Sequence, residues 1–174
     1  MKQYNRRSIR LAGYDYDQAG NYFVTICSYK REEVFGQIKD NEMILTDLGR
    51  LVEECLEEMK CRFKIGLDEY VIMPNHVHMI INIVGANHDS PKNDEIIEYG
   101  RAIRESPLRG NKRSLLSKII GYFKAKVSRD FGMQIWQRGY FDRIIRNEKE
   151  LNKIRQYIKL NPMMWDRDRN NLIF

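Results

Sequence analysis

The hydrophobic period of this chain switches several times along its length, and the order of the switches restricts the fold more than any other feature. Residues 21–29, NYFVTICSY, are aromatic and β-branched and predict a strand. Residues 33–38 and 42–45 predict a short hairpin turning at Asp40-Asn41. Thr46 is a good N-cap residue, and Leu48, Leu51, Val52, Cys55, Leu56 and Met59 follow it at helical spacing. Glu53, Glu54, Glu57 and Glu58 take the opposite side, which gives an amphipathic helix with an acidic solvent face. Two strands are expected near 66–73 and 76–84, joined by Pro74-Asn75, where a proline that cannot donate to a ladder is tolerated. A second helix over 113–131 gathers Leu115, Leu116, Ile119, Ile120, Phe123 and Val127 on one side and leaves a basic remainder. Residues 135–145, IWQRGYFDRII, predict a last strand. Asn147 then caps a third helix, with Glu150 as the capping-box partner, and Pro162 stops it just past Leu160.

Apart from the short hairpin, the order is strand, helix, strand, strand, helix, strand. That is the βαββαβ pattern of an α+β, ferredoxin-like fold: an antiparallel sheet with helices on one face, here followed by a C-terminal helix. With 174 residues, a single domain over 1–174 is expected. Residues 85–112 are polar, contain Gly85, Pro91, Pro107 and Gly110, and predict a long loop. No apolar run has the length of a membrane span or a signal peptide, so a cytoplasmic protein with no membrane partner is expected. Cys27, Cys55 and Cys61 are odd in number and lack CxxC spacing, which argues against a disulfide framework and a zinc ribbon.

The net charge of +6 is unevenly placed: residues 1–31 carry +4, residues 32–100 carry −9 and residues 101–174 carry +11. A basic C-terminal half beside an acidic middle suits a polyanion held on one face, although a solvated basic surface has the same composition.

Two constellations could carry chemistry. In His76-Val77-His78 the histidines are i and i+2 on a strand, so both imidazoles project to one face. Imidazole is the commonest protein ligand for metals, but such a pair is equally compatible with hydrogen-bonded or solvated side chains. On the last helix, Tyr157 and Asn161 lie one turn apart, along the edge of the apolar stripe formed by Leu151, Ile154 and Ile158. Each of these alone also fits ordinary packing or helix punctuation.

Taken together, the motifs resemble a family. RRSIRLAGYDYDQAGNYFVTIC at 6–27, YVIMPNHVHMII at 70–81, FKAKVSR at 123–129 and IWQRGYFDRIIRNEKELNKIRQYIKLNP at 135–162 are similar, in this order, to the REP-associated tyrosine transposases of the single-tyrosine HUH class. The resemblance implies a metal-dependent endonuclease and strand transferase acting on single-stranded DNA at hairpin-forming palindromic repeats and passing through a 5′-phosphotyrosine. It implies Tyr157 on the C-terminal helix as the nucleophile, and His76, His78 and Asn161 as ligands of a divalent metal ion, magnesium or manganese by availability, with other first-row ions as the alternative that imidazole affinity favours. It also implies DNA contacts from the basic side chains Arg6, Arg7, Arg10, Lys124, Lys126, Arg143 and Arg146. Family members of this kind work as monomers, which favours a monomer here, with a homodimer as the alternative known among related transposases. Tyr70, Tyr122 and Tyr140 do not match the nucleophile's position. The alternative functional reading is a non-catalytic, nucleic-acid-binding ferredoxin-like protein, although no RNP aromatic signature is found; a metal-dependent hydrolase with a structural Tyr157 is a further rival.

Overall fold

The computed structural model of the chain describes residues 18–84 and 114–168. The expected loop over 85–112 and the N-terminal arginines lie outside them. The elements are β1 (Gly20–Cys27), β2 (Gly36–Lys39), β3 (Glu42–Leu45), α1 (Asp47–Phe63), β4 (Gly66–Met73), β5 (His76–Ile83), α2 (Leu115–Phe131), β6 (Phe141–Ile145) and α3 (Glu148–Leu160). Single 3-10 turns follow β1 and α3, at Tyr29–Arg31 and Pro162–Arg167.

Four strands form one antiparallel sheet in the order β4-β5-β1-β6, while β2 and β3 pair separately as a hairpin. Without that hairpin the path is the expected βαββαβ, with the first and third strands of the motif adjacent at the centre. Asp40 and Asn41 both have positive φ, 52° and 64°, the backbone a tight two-residue hairpin turn requires. The Thr46 side chain accepts from the Gly49 amide at the start of α1, as an N-cap should. Gly49 itself is needed for space: a Cβ there would lie 2.1 Å from the Phe35 carbonyl oxygen.

The two faces of the sheet are built from alternate residues. Tyr22, Val24 and Ile26 of β1 and Val77, Met79 and Ile81 of β5 turn towards α1 and α2 and form the main core with them. Phe23 and Ile80 turn the other way and form a smaller core with Ile145, Leu151 and Ile158 beneath α3. Thus two helices cover one face, and the added C-terminal helix covers part of the other.

The expected strand over 135–145 is shorter than its composition suggests. Only Phe141–Ile145 join the sheet. Gly139 takes φ 82°, which bends the chain, and before it Trp136 makes only an isolated bridge to Ser28. Ile135 and Trp136 are nonetheless buried in the main core, so their apolar character serves a bent segment rather than a ladder. At α3, Asn147 accepts from the Glu150 amide, while the Glu150 carboxylate accepts from the Arg146 amide, one residue earlier than the usual capping-box partner.

Candidate active site

His76 opens β5 and His78 follows two residues later, so both imidazoles leave the sheet on the face away from α1 and α2. Both are buried. Their Nε2 atoms lie 3.0 Å apart. Each Nδ1 has its own partner: Asn75 Oδ1 at 2.8 Å for His76 and Thr25 Oγ1 at 2.8 Å for His78. The Thr25 contact follows from sheet register, because Thr25 on β1 pairs directly with His78 on β5.

The hydrogen-bond network fixes one tautomer. Asn75 is fully buried and its Nδ2 donates to the Arg31 carbonyl, so its Oδ1 faces His76. An amide oxygen only accepts, so His76 Nδ1 carries the hydrogen and a neutral ring leaves Nε2 bare. If His78 likewise donates from Nδ1 to Thr25, two nitrogen lone pairs confront each other across 3.0 Å. That arrangement is unfavourable unless a proton or a cation is shared between them.

The α3 helix brings the other groups. Its N-cap and apolar stripe set its rotation, with Leu151 and Ile158 buried against the sheet and Tyr157 at the stripe's edge, 43% exposed. The Tyr157 hydroxyl lies 3.1 Å from His78 Nε2. Phe23 stacks on His78 with ring centroids 5.2 Å apart and meets Tyr157 edge-on at 6.1 Å. Asn161, one turn after Tyr157, is buried, and its Oδ1 has no hydrogen-bond partner among the described residues. After Pro162 the 3-10 turn carries the chain back over the site. Trp165 stacks on His76 at 6.1 Å, and Asp168 Oδ2 comes within 4.0 Å of His76 Nε2. One ligand atom from each of His76, His78 and Asp168 lies within 4.8 Å of the other two. Imidazole nitrogens with fixed outer bonds, a nearby carboxylate and a buried amide oxygen lacking a donor form a donor set that suits a divalent cation.

No known family profile matches the chain. An uncharacterised protein of Haemophilus influenzae is 37% identical over 171 residues, covering 95% of this chain and 92% of its own length. A second H. influenzae protein, provisionally named a REP-associated tyrosine transposase, is 25% identical over 156 residues, covering 86% of this chain and 73% of its own length. The fold is also that of a solved REP-associated tyrosine transposase bound to a REP hairpin, with a TM-score of 0.59 and 18% identity over 95% of this chain and 74% of that one. The chain is thus similar in sequence to a REP-associated tyrosine transposase and shares the fold of a solved one.

The structure sorts the residues singled out by sequence. It brings Tyr157, His76 and His78 together, with Asn161 one helical turn from Tyr157. Arg143 pairs with Phe23 across the sheet and so shares the histidine face, where its guanidinium meets Glu150 at 2.6 Å. Arg146 is exposed at the end of β6. Lys124 and Lys126 are set apart from the histidines, because α2 lies on the other face. Lys126 is engaged by Glu58 and Asp130, and those carboxylates push its pKa up. Lys124 donates to the carbonyls of Gln137 and Gly139, and burial lowers its pKa to about 8. Arg6, Arg7 and Arg10 lie outside the described residues. Tyr70, Tyr122 and Tyr140 meet Glu53, Glu58 and Ser117, all on the α1 and α2 side.

Three contributors escape sequence reasoning: Asp168, Thr25 and Asn75. Asp168 reaches His76 only because the turn after Pro162 folds back, and the one available signal is an acidic WDRD run shortly after the YI..NP motif. Thr25 requires strand register, and Asn75 a tight turn packed against Arg31, neither of which periodicity supplies.

Proposed function

We propose that this protein is a metal-dependent single-stranded DNA endonuclease and strand transferase that forms a 5′-phosphotyrosine on Tyr157 at hairpin-forming palindromic repeats. Similarity to REP-associated tyrosine transposases in sequence and fold supports a DNA-processing enzyme in general. The observation that carries the finer reading is the half-exposed Tyr157 hydroxyl 3.1 Å from His78 Nε2, which is itself 3.0 Å from His76 Nε2. His76 and His78 would hold the ion, with Asn161 as third ligand and Asp168 as a further candidate near His76. The ion would supply Lewis-acid polarisation of the scissile phosphate.

The chain's own residues do the rest. Tyr157 Oη attacks phosphorus and gives up its proton, the P–O3′ bond breaks, and the departing oxygen takes a proton to become a 3′-hydroxyl. The 5′-phosphate stays on Tyr157 as an ester that keeps the energy of the broken bond. A later 3′-hydroxyl attacks that ester, re-forms the phosphodiester and returns the phenol. Phe23 holds the His78 and Tyr157 rings in place, while Arg143 and Arg146 on the β6 side suit the phosphate backbone of the strand. Tyr157 reaches His78 of its own chain, which fits a site assembled in cis.

The test is a denaturing gel with a labelled hairpin oligonucleotide and Mn2+. A covalent protein–DNA band is expected from the wild type and none from Tyr157→Phe, which keeps the ring and its packing. Tryptic mapping should place the nucleotide on the peptide after Arg155. A band that survives Tyr157→Phe, or attachment at another tyrosine, refutes the assignment.

A further inference from the structure

A cavity lies where β1 ends, beside the turn that carries His76. Its volume is about 430 Å³, and Tyr29, Phe131 and Met133 line it. These three are 48%, 42% and 58% exposed, an unusual grouping of large apolar side chains on one spot of the described surface. Glu32, Asp47 and Gln134 supply polar groups. Among the described residues two carboxylates and no lysine or arginine line the cavity, with the Lys30 ammonium 5.3 Å from the centroid of the Tyr29 ring.

The wall of this cavity is held at a cost. Lys30 and Arg31 are consecutive non-glycine residues at φ 53° and 59°, left-handed backbone that side chains disfavour. Such conformations persist only where the surroundings enforce them. Here the enforcement comes from the histidine turn: the Ser28 amide donates to the Asn75 carbonyl at 2.8 Å, and Asn75 Nδ2 donates to the Arg31 carbonyl at 3.2 Å. Asn75 also holds His76. The aromatic wall and the His76 imidazole therefore hang from one buried asparagine.

We propose that this cavity takes a single unstacked guanine base of the strand whose phosphate is presented to the histidines. The inference rests on the function proposed above for its substrate, single-stranded DNA. Aromatic walls suit a base because every base offers a π-face. The polar groups then choose among bases. Asp47 is occupied by the Arg50 guanidinium, whereas the Glu32 carboxylate has no ion pair among the described residues. A carboxylate is acceptor-only and has two oxygens. Guanine presents two adjacent donors on its Watson–Crick edge, N1–H and N2–H, which match it. Adenine and cytosine present one amino group beside a ring acceptor, and thymine one N–H between two carbonyls, so each sets an acceptor against the carboxylate.

The experiment measures binding alone. Fluorescence anisotropy is recorded in EDTA with labelled thymidine 15-mers, either uniform or carrying one central dG, dA or dC. The dG strand should bind on the order of tenfold more tightly than the other three, the scale of one two-point base contact. Glu32→Gln should erase that preference and leave the affinity for the uniform strand unchanged, which also shows that the variant is folded. Tyr29→Ser should bring the dG strand down towards the uniform one. Equal affinity for all four strands, or a dG preference that survives Glu32→Gln, overturns the proposal. Because no cleavage occurs in EDTA, this result stands apart from the covalent-adduct assay, which decides the transposase chemistry by itself.

Discussion

Thr25→Val tests the outer bonds of the site at a position that touches no substrate. Valine keeps the branched shape of threonine on β1, so no cavity opens and strand packing is retained. What is lost is the partner 2.8 Å from His78 Nδ1. His78 is 2% exposed, so water does not replace the hydroxyl. An unsatisfied buried polar group costs about 1–3 kcal/mol. For a chain of this size each kcal/mol lowers Tm by roughly 2–4 °C. The second consequence is functional: without Thr25 the hydrogen on His78 is no longer directed to Nδ1, and the Nε2 lone pair is no longer guaranteed. Losing such an outer partner typically weakens metal binding by about 10–100-fold. Differential scanning calorimetry without metal and isothermal titration with Mn2+ give the two quantities separately. A Tm drop with unchanged Mn2+ affinity would show that Thr25 only stabilises the sheet, and the proposed orienting role would be abandoned.

Three further outcomes are expected. EDTA should abolish cleavage while lowering Tm only slightly, because the two apolar cores do not depend on an ion; full activity in metal-free buffer would remove the metal from the mechanism. Affinity for a single-stranded hairpin oligonucleotide should fall steeply with salt, by roughly 0.7 of a logarithmic unit per decade for each phosphate contact, and a flat dependence measured by anisotropy would deny the basic half any role. Burial lowers the Lys124 pKa to about 8 from an ordinary 10.5, so the unfolded chain binds more protons between those values and wild-type stability should rise with pH across them; urea titrations at pH 7.5 and 10 should show the wild type gaining on Lys124→Met, and a constant gap would contradict the burial of that ammonium.

The periodicity of the chain discloses the βαββαβ path because each element has one buried and one open face. Val77 between two histidines, or Glu57 and Glu58 opposite Leu56, settles the orientation locally. The hairpin at Asp40-Asn41 is legible for the same reason, its turn needing residues that accept positive φ. Where sequence reading overreaches, at 135–140, apolar residues are buried by a bent segment, and composition does not separate that from a strand. The histidine pair and Tyr157 are legible as motifs. Their convergence is not, since it depends on α3 crossing the sheet face at a particular angle. Lys124 illustrates the opposite case: in sequence it is one more charge on a basic helix, and only the carbonyls of Gln137 and Gly139 reveal that it is used inside the protein.

The helix that carries Tyr157 is fastened differently from the other two. Six residues of α1 and five of α2 are buried, but only Leu151 and Ile158 of α3. Ion pairs supply the remainder, with Arg155 gripping Asp68 and Lys159 reaching Glu69, one on each side of the tyrosine and both on edge strand β4. Exposed pairs of this kind contribute little and are screened by salt. On a hydrogen-exchange scale, α3 is therefore the helix with the smallest opening free energy, able to lift away while the main core stays folded. The position of Tyr157 is then a population, set by a short greasy seam and two charge clasps that rising ionic strength loosens.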